Sequence, residues 1–274
     1  MATTGLSLTC LSPERFALVP EAAIRRAGLI ALATDLTSER DAAAVLPTRE
    51  IGLHVTRVAY ENPTTPDNLR RMVPRLGEAA ALLAPGSELA AIYYACTSAS
   101  VVIGDEAVEA AIWAVRPGTP VITPTRAAKA AFAALGIRRI ALVTPYVEAT
   151  TAPMIDYFAA GGVAVASALC FGFDDDRAMA RIGRESLVEA VLAAGETEAD
   201  AVFLSCTALP SLGVIVELEA RLNRPVVASN QAGYWMMRHC LGLTGRVDGF
   251  GRLFDHSPAA TRPAMDVKGV VWDA

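Results

Sequence analysis

The chain has 274 residues, 53% of them apolar and 19% charged, with a net charge of −5. That length and apolar content provide for about two domains with sizeable cores. The acidic balance excludes nucleic acid and anionic membrane as partners, since both require basic patches.

The amino-terminal stretch, "MATTGLSLTCLSPERF", has no basic region followed by an apolar segment, so no secretory leader is expected there. Along the chain, short β-rich apolar runs alternate with amphipathic, alanine-rich stretches. Strands are predicted at 28–33, 51–58, 89–95 and 120–122, and again at 139–143, 162–169, 201–205 and 225–228. Helices are predicted at 38–46, 66–83, 104–115, 126–135, 178–194 and 211–222. "APGSE", "RPGTP" and "LNRP" supply the stops between them. Residues 232–255 read as a helix and short tail returning to the first half, and 256–274 as a polar tail. The uncharged run 89–104 is too short and too rich in Ser and Thr to span a membrane. Five cysteines form an odd set without close pairing, which points to a reduced, cytoplasmic setting.

The pattern repeats. "YYACTSAS" around Cys96 and "FLSCTALP" around Cys206 stand 110 positions apart. "IALATD" from Ile30 and "IALVTP" from Ile140 keep the same offset, as do "GLHV" from Gly52 and "GVAV" from Gly162. "PVITPT" from Pro120 and "PVVASN" from Pro225 slip to 105. The period is too long for a solenoid, so the chain reads as a duplicated unit. The predicted fold is α/β: two pseudo-symmetric Rossmann-like lobes with parallel sheets and an active site in the cleft between them. The first lobe takes residues 25–125 plus about 232–255, and the second 126–231.

Chemistry in such sheets gathers beyond the carboxyl ends of the strands. Cys96 and Cys206 both fall there, each followed by Thr and a turn into a predicted helix. A helix start favours thiolate, so at least one thiol is expected to titrate below the ordinary value of about 8.5. Two such units would aim two cysteines at one cleft. Cys10, Cys170 and Cys240 have no partner in register. His54, His239 and His256 are scattered without ligand spacing, so no metal is predicted. No glycine-rich phosphate loop implies a nucleotide cofactor.

Through "YACTSAS" at 94–100, "LVTPY" at 142–146 and "LSCTALP" at 204–210, the chain resembles the aspartate/glutamate racemase superfamily, in the branch of maleate cis–trans isomerases and arylmalonate decarboxylases. The resemblance covers about residues 25–250. It implies a cofactor-free and metal-free enzyme acting on a small carboxylate, with one cysteine from each lobe flanking the substrate. Cys96 and Cys206 match the catalytic pair. Thr97, Ser98 and Thr207 match residues that hold the substrate carboxylate, and Tyr146 matches a tyrosine bonded to it. Arylmalonate decarboxylases keep only the second-lobe cysteine, whereas this chain has both.

Two positions depart from the family pattern. Where maleate isomerases place asparagines, this chain has Asp35 in "ATDLTSERD" and the run Asp174, Asp175, Asp176. Asp35 and Asp176 are therefore predicted to contact substrate. Carboxylates there repel a diacid and suit a carboxylate bearing an amine or amidinium. "ATDLTSERD" also resembles members found in ectoine utilisation, whose substrates are cyclic amidine carboxylates. The alternative roles are a helix cap for Asp35 and a solvated loop for the aspartate run. The leading expectation is a racemase or epimerase using two cysteines as acid and base. The alternatives are cis–trans isomerisation by cysteine addition, decarboxylation through Cys206, and a metabolite-binding protein without catalysis. Whether the chain forms a homo-oligomer is left open.

Overall fold

The computed structural model describes residues 8–47, 49–195, 197–243 and 246–258. Residues 259–274 of the expected tail lie outside the described residues. Two four-stranded parallel sheets carry the fold, in the α/β class that the alternation predicts. The first comprises β1 (Arg25–Leu32), β2 (Ile51–Val58), β3 (Ile92–Tyr94) and β4 (Val121–Ile122), in the order β2-β1-β3-β4. The second comprises β5 (Arg139–Tyr146), β6 (Ala164–Phe173), β7 (Ala201–Leu204) and β8 (Val226–Ala228), in the order β6-β5-β7-β8. The identical order makes the halves pseudo-symmetric. In each sheet the third strand sits beside the first, which sets the two cysteine turns at equivalent places. β3 and β7 are buried along their whole length, as strands covered on both faces must be, and so read as unbroken apolar runs.

Several helices differ from expectation for identifiable local reasons. The helix expected over 66–83 divides into α2 (Pro66–Arg70) and α3 (Val73–Ala81). Pro74 has no N–H to continue the ladder, and it sits in the opening turn of α3. A short helix, α4 (Thr97–Ile103), follows Cys96 directly and stops at Gly104, whose φ of 94° starts α5 (Asp105–Trp113). The stretch expected over 178–194 divides at Gly183 into α8 (Asp176–Met179) and α9 (Arg184–Gly195). The expected 211–222 helix is a 3₁₀ turn, Leu212–Val214, leading into α10 (Ile215–Leu222). The unpredicted α7 (Glu148–Ala160) carries two threonines and an internal proline, which mask its helical pattern.

The last helix of each half crosses to the other. α6 (Pro124–Ala134) follows the first sheet, yet its Phe132 packs edge-on against Phe158 and Phe203 of the second half. α11 (Ser229–Cys240), which begins three residues earlier than expected, follows the second sheet and returns to the first. Its Tyr234 packs edge-on against Tyr93 of β3 and donates to the Ser38 carbonyl of α1 (Ser38–Val45). No helix among the described residues is long and apolar enough to cross a membrane.

Candidate active site

Cys96 follows the last residues of β3 and Cys206 those of β7, at 3% and 2% exposure. Hydrogen bonds across the seam between the halves hold the two turns against each other. Thr207 donates to the Ala95 carbonyl at 3.0 Å, and Thr97 donates to the Ser229 hydroxyl at 2.8 Å. Thr37 donates to the Ala208 carbonyl at 2.8 Å. Asn230 gives its amide hydrogens to the Thr207 carbonyl and to Asp41, each at 2.9 Å. The threonine after each cysteine therefore ties its turn to the opposite half.

Each sulfur has local donors. The Ala208 N–H donates to the Cys206 sulfur at 3.3 Å, and the Tyr146 hydroxyl is bonded to it as well. Cys96 is supported by the Ala99 N–H and by the Ser98 hydroxyl, which lies 3.6 Å from the sulfur. The helix-start geometry expected for both cysteines is found only at Cys96, where α4 begins at the next residue. After Cys206 the chain makes an irregular turn, and its next regular element starts at Leu212.

The surroundings of both sulfurs run against the expectation of an acidic thiol. Burial pushes Cys96 up to about 12, and the neighbouring Asp176 pushes it the same way. Cys206 is raised further by the same two causes. Two donors at a strand end do not offset full desolvation beside a carboxylate. Besides burial, Asp176 acts on both sulfurs, with Asp35 acting on Cys96 and the Cys96 thiol on Cys206, against the backbone and hydroxyl donors.

Asp176 opens α8 and is 4% exposed, so it is not part of a solvated loop. Thr34 donates to one of its oxygens at 2.9 Å and Thr64 to the other at 3.3 Å, both from the opposite half. Burial raises its carboxyl to about 6. The loops around it are latched: the Thr64 N–H donates to the Asp174 carbonyl at 2.7 Å, and Asn62 donates to Asp175 at 2.8 Å. Asp175 itself caps α8 through the Arg177 N–H. Asp35 has a structural occupation. One oxygen accepts from the N–H groups of Thr37 and Ser38 at 2.7 and 2.8 Å, and the other accepts from the Ser38 hydroxyl at 2.6 Å. It thereby orders the turn into α1, just before the Thr37 N-cap, and its charge also acts on Cys96 and Asp176.

Cys96, Cys206, Ser98, Tyr146 and Asp176 thus share one buried region, with the hydroxyls of Thr97 and Thr207 engaged in its seam. Sequence reasoning missed Tyr60, a buried residue whose hydroxyl donates to Thr64 at 2.8 Å and which senses both thiols and Asp176. It also missed Thr34, Thr64, Ser229 and Asn230. The repeat could have flagged Thr34 and the Ser229–Asn230 pair, which stand inside "IALATD" and "PVVASN". Tyr60 and Thr64 lie in "YENPTTP", which has no counterpart in the second half. Cys10 and Cys170 are exposed and Cys240 is half-buried, away from this region.

The family model for arylmalonate decarboxylase matches residues 49–254. The arylmalonate decarboxylase of Bordetella bronchiseptica is 35% identical over 143 residues, 51% of this chain and 60% of that enzyme, less than two thirds of its length. The maleate isomerase of Nocardia farcinica is 27% identical over 249 residues, 87% of this chain and 98% of that one. Among solved structures, a cysteine-to-alanine variant of the maleate isomerase from Pseudomonas putida S16 with maleate superposes with a TM-score of 0.77 at 26% identity, covering 86% of this chain and 99% of that one. A cysteine-to-serine variant of the Nocardia farcinica maleate cis–trans isomerase, carrying a covalently bound succinylcysteine intermediate, gives 0.77 at 26% identity over 84% of this chain and 98% of that one.

Proposed function

The chain belongs to the arylmalonate decarboxylase family of the aspartate/glutamate racemase superfamily, and on that premise we propose that it is a cofactor-independent, cysteine-dependent isomerase of the racemase or epimerase type. Its substrate is a small carboxylate that also carries a cationic amine or amidinium. The pair of buried thiols carries this reading: each follows the third strand of its half, Asp176 acts on both, and the Cys96 thiol acts on Cys206. One thiolate removes the proton next to the substrate carboxylate, and the opposite thiol returns one to the other face. Tyr146 and Ser98 supply the polar edge that such an enediolate needs, while Thr97 and Thr207, whose hydroxyls are donated across the seam, hold the two turns in place. The buried Asp176 supports the cationic half of the substrate, because a buried carboxylate penalises a second one beside it.

Decarboxylation through Cys206 and maleate-type addition by one thiolate belong to the same family chemistry, and the presence of both cysteines favours proton exchange over decarboxylation. The test is a panel of small chiral carboxylates incubated in deuterium oxide, grouped as cationic, neutral and diacid. Deuterium should enter next to the carboxylate of the cationic members. Exchange confined to diacids, or carbon dioxide release without exchange, would refute the reading.

A further inference from the structure

The two cysteine turns are held by different means. Cys96 opens α4, so the helix sets its backbone: its carbonyl accepts from the Ser100 N–H at 3.1 Å and from the Ser100 hydroxyl at 2.7 Å. Cys206 has no helix directly after it, and residues 207–211 follow an irregular path. Two consecutive carbonyls of that path accept instead from side chains of other elements. Asn230, the second residue of α11, donates to the Thr207 carbonyl at 2.9 Å. Thr37, just before α1, donates to the Ala208 carbonyl at 2.8 Å. A helix keeps its own geometry, whereas an irregular turn takes its shape from whatever its polar groups are tied to.

Both donors are 1% exposed, so water does not stand in for them. The Asn230 nitrogen also donates to Asp41 of α1 at 2.9 Å. The Tyr93 hydroxyl, shared between the Asn230 side-chain oxygen and the Ser229 carbonyl, lies 3.3 Å from each. Two acceptors on the nitrogen and a hydroxyl at the oxygen fix which way the amide points. Tyr93 lies on β3, the strand that leads to Cys96. One side chain therefore joins the strand before Cys96 to the turn that carries Cys206. The equivalent residue of the other copy, Thr125 in "PVITPT", donates to Asp105 at 2.5 Å instead. The turn that lacks a helix is the one with this brace.

We propose that Asn230 and Thr37 are positioning residues for Cys206: they hold the turn that aims its sulfur, and they serve the Cys206 face of the site rather than both faces. The inference rests on the two-thiol proton-transfer reading above. Each side chain acts through a backbone carbonyl following the cysteine. A sulfur displaced by about 1 Å costs about a hundredfold in rate.

The experiment compares the full chain with two changes in slightly alkaline buffer. The swap Asp41→Asn/Asn230→Asp re-forms the bond between α1 and α11 with donor and acceptor reversed, yet presents a carboxylate to the Thr207 carbonyl. Thr37→Val keeps the shape and removes the donor to Ala208, and Thr37→Ser restores it. Iodoacetamide labelling is followed separately at each cysteine by mass spectrometry, without substrate. Cys206 should react about tenfold faster in the swap and in Thr37→Val, with Cys96 within about twofold of wild type. A chiral substrate from the deuterium panel gives the second readout, its faces assigned with Cys96→Ser and Cys206→Ser. For the enantiomer facing Cys206, kcat for deuterium entry should fall about a hundredfold with KM little changed, while entry from the other enantiomer persists. Thr37→Ser should recover both signals. Urea denaturation identifies a variant that fails to fold; if the swap does, Thr37→Val against Thr37→Ser decides alone. Equal changes at both cysteines, or no change at Cys206, would overturn the inference and leave the two-thiol reading standing. No deuterium entry into any member of the panel would refute that reading, and the labelling rates would still decide whether Asn230 and Thr37 hold the turn.

Discussion

Replacing Asp176 by Asn keeps the shape of the residue and removes the charge that the cleft is built around. Thr34 and Thr64 can turn their hydroxyls to the amide, so the latch between the halves should survive. The effect on catalysis follows from electrostatics. A charge pair about 4 Å apart at an effective dielectric near 20 is worth about 4 kcal/mol, and truncating one partner of a buried pair costs about 2–5 kcal/mol. For a cationic carboxylate, kcat/KM should therefore fall by about a hundredfold to a thousandfold. For a diacid it should rise, because one repulsion is gone. The pH profile gives a second reading. Asp176 is raised to about 6, so wild-type kcat/KM for the cationic substrate should decline as pH drops through that value, and this limb should vanish in the variant. Stability moves oppositely. A carboxyl raised from 3.8 to about 6 in the folded state binds its proton more tightly there, so folding stability is lost as pH rises through that window. Above pH 6 the variant should be more stable by at most about 3 kcal/mol. Stopped assays on both substrate types, with urea denaturation at two pH values, measure all of this. Equal losses on cationic and diacid substrates would refute the electrostatic reasoning.

Thr207→Val leaves the buried Ala95 carbonyl without its donor across the seam, so stability should fall by about 1–3 kcal/mol in chemical denaturation. Turnover should fall with it as the Cys206 turn loosens. Gly233→Ala would drive a methyl group into the Tyr93 ring beneath the site, lowering stability by about 1–3 kcal/mol and showing as a reduced Tm. Asp41 is buried and raised to about 6, so Asp41→Asn should flatten the loss of stability between about pH 4 and pH 6. Denaturation midpoints across that range check it.

The fold was legible because duplication gave each strand two readings. Short apolar runs such as 92–94 are ambiguous alone, but the 110-residue offset placed them as third strands with a cysteine at the end. Helix boundaries were less legible, since Pro74, Gly104 and Gly183 interrupt stretches whose apolar pattern continues across them. At the site, the repeat spacing pointed to Cys96 and Cys206 and the family resemblance to Tyr146 and Asp176, which the fold gathers into one region. What the sequence could not convey was burial. A strand-end cysteine before Thr looks the same whether its surroundings are wet or sealed, and the acid content of the sealed region depends on loops brought in from the opposite half. Asp35 illustrates the same limit: "ATDLTSERD" is compatible with a ligand and with a cap, and only the distances show its oxygens bonded to Thr37 and Ser38 in the turn before α1.

The central claim is that two thiols work on opposite faces of one carbon, and single-cysteine variants in deuterium oxide test it most directly. Cys96→Ser and Cys206→Ser should each lower inversion of the chiral substrate by about 10²–10⁴-fold, the contribution of a positioned acid or base. Each variant should still exchange the proton next to the carboxylate from the one enantiomer whose face meets the remaining thiol, without inverting it. The result that would contradict the account is a Cys96→Ser variant that keeps near-wild-type turnover while Cys206→Ser loses all of it, because a single working thiol belongs to decarboxylation rather than to two-faced proton transfer.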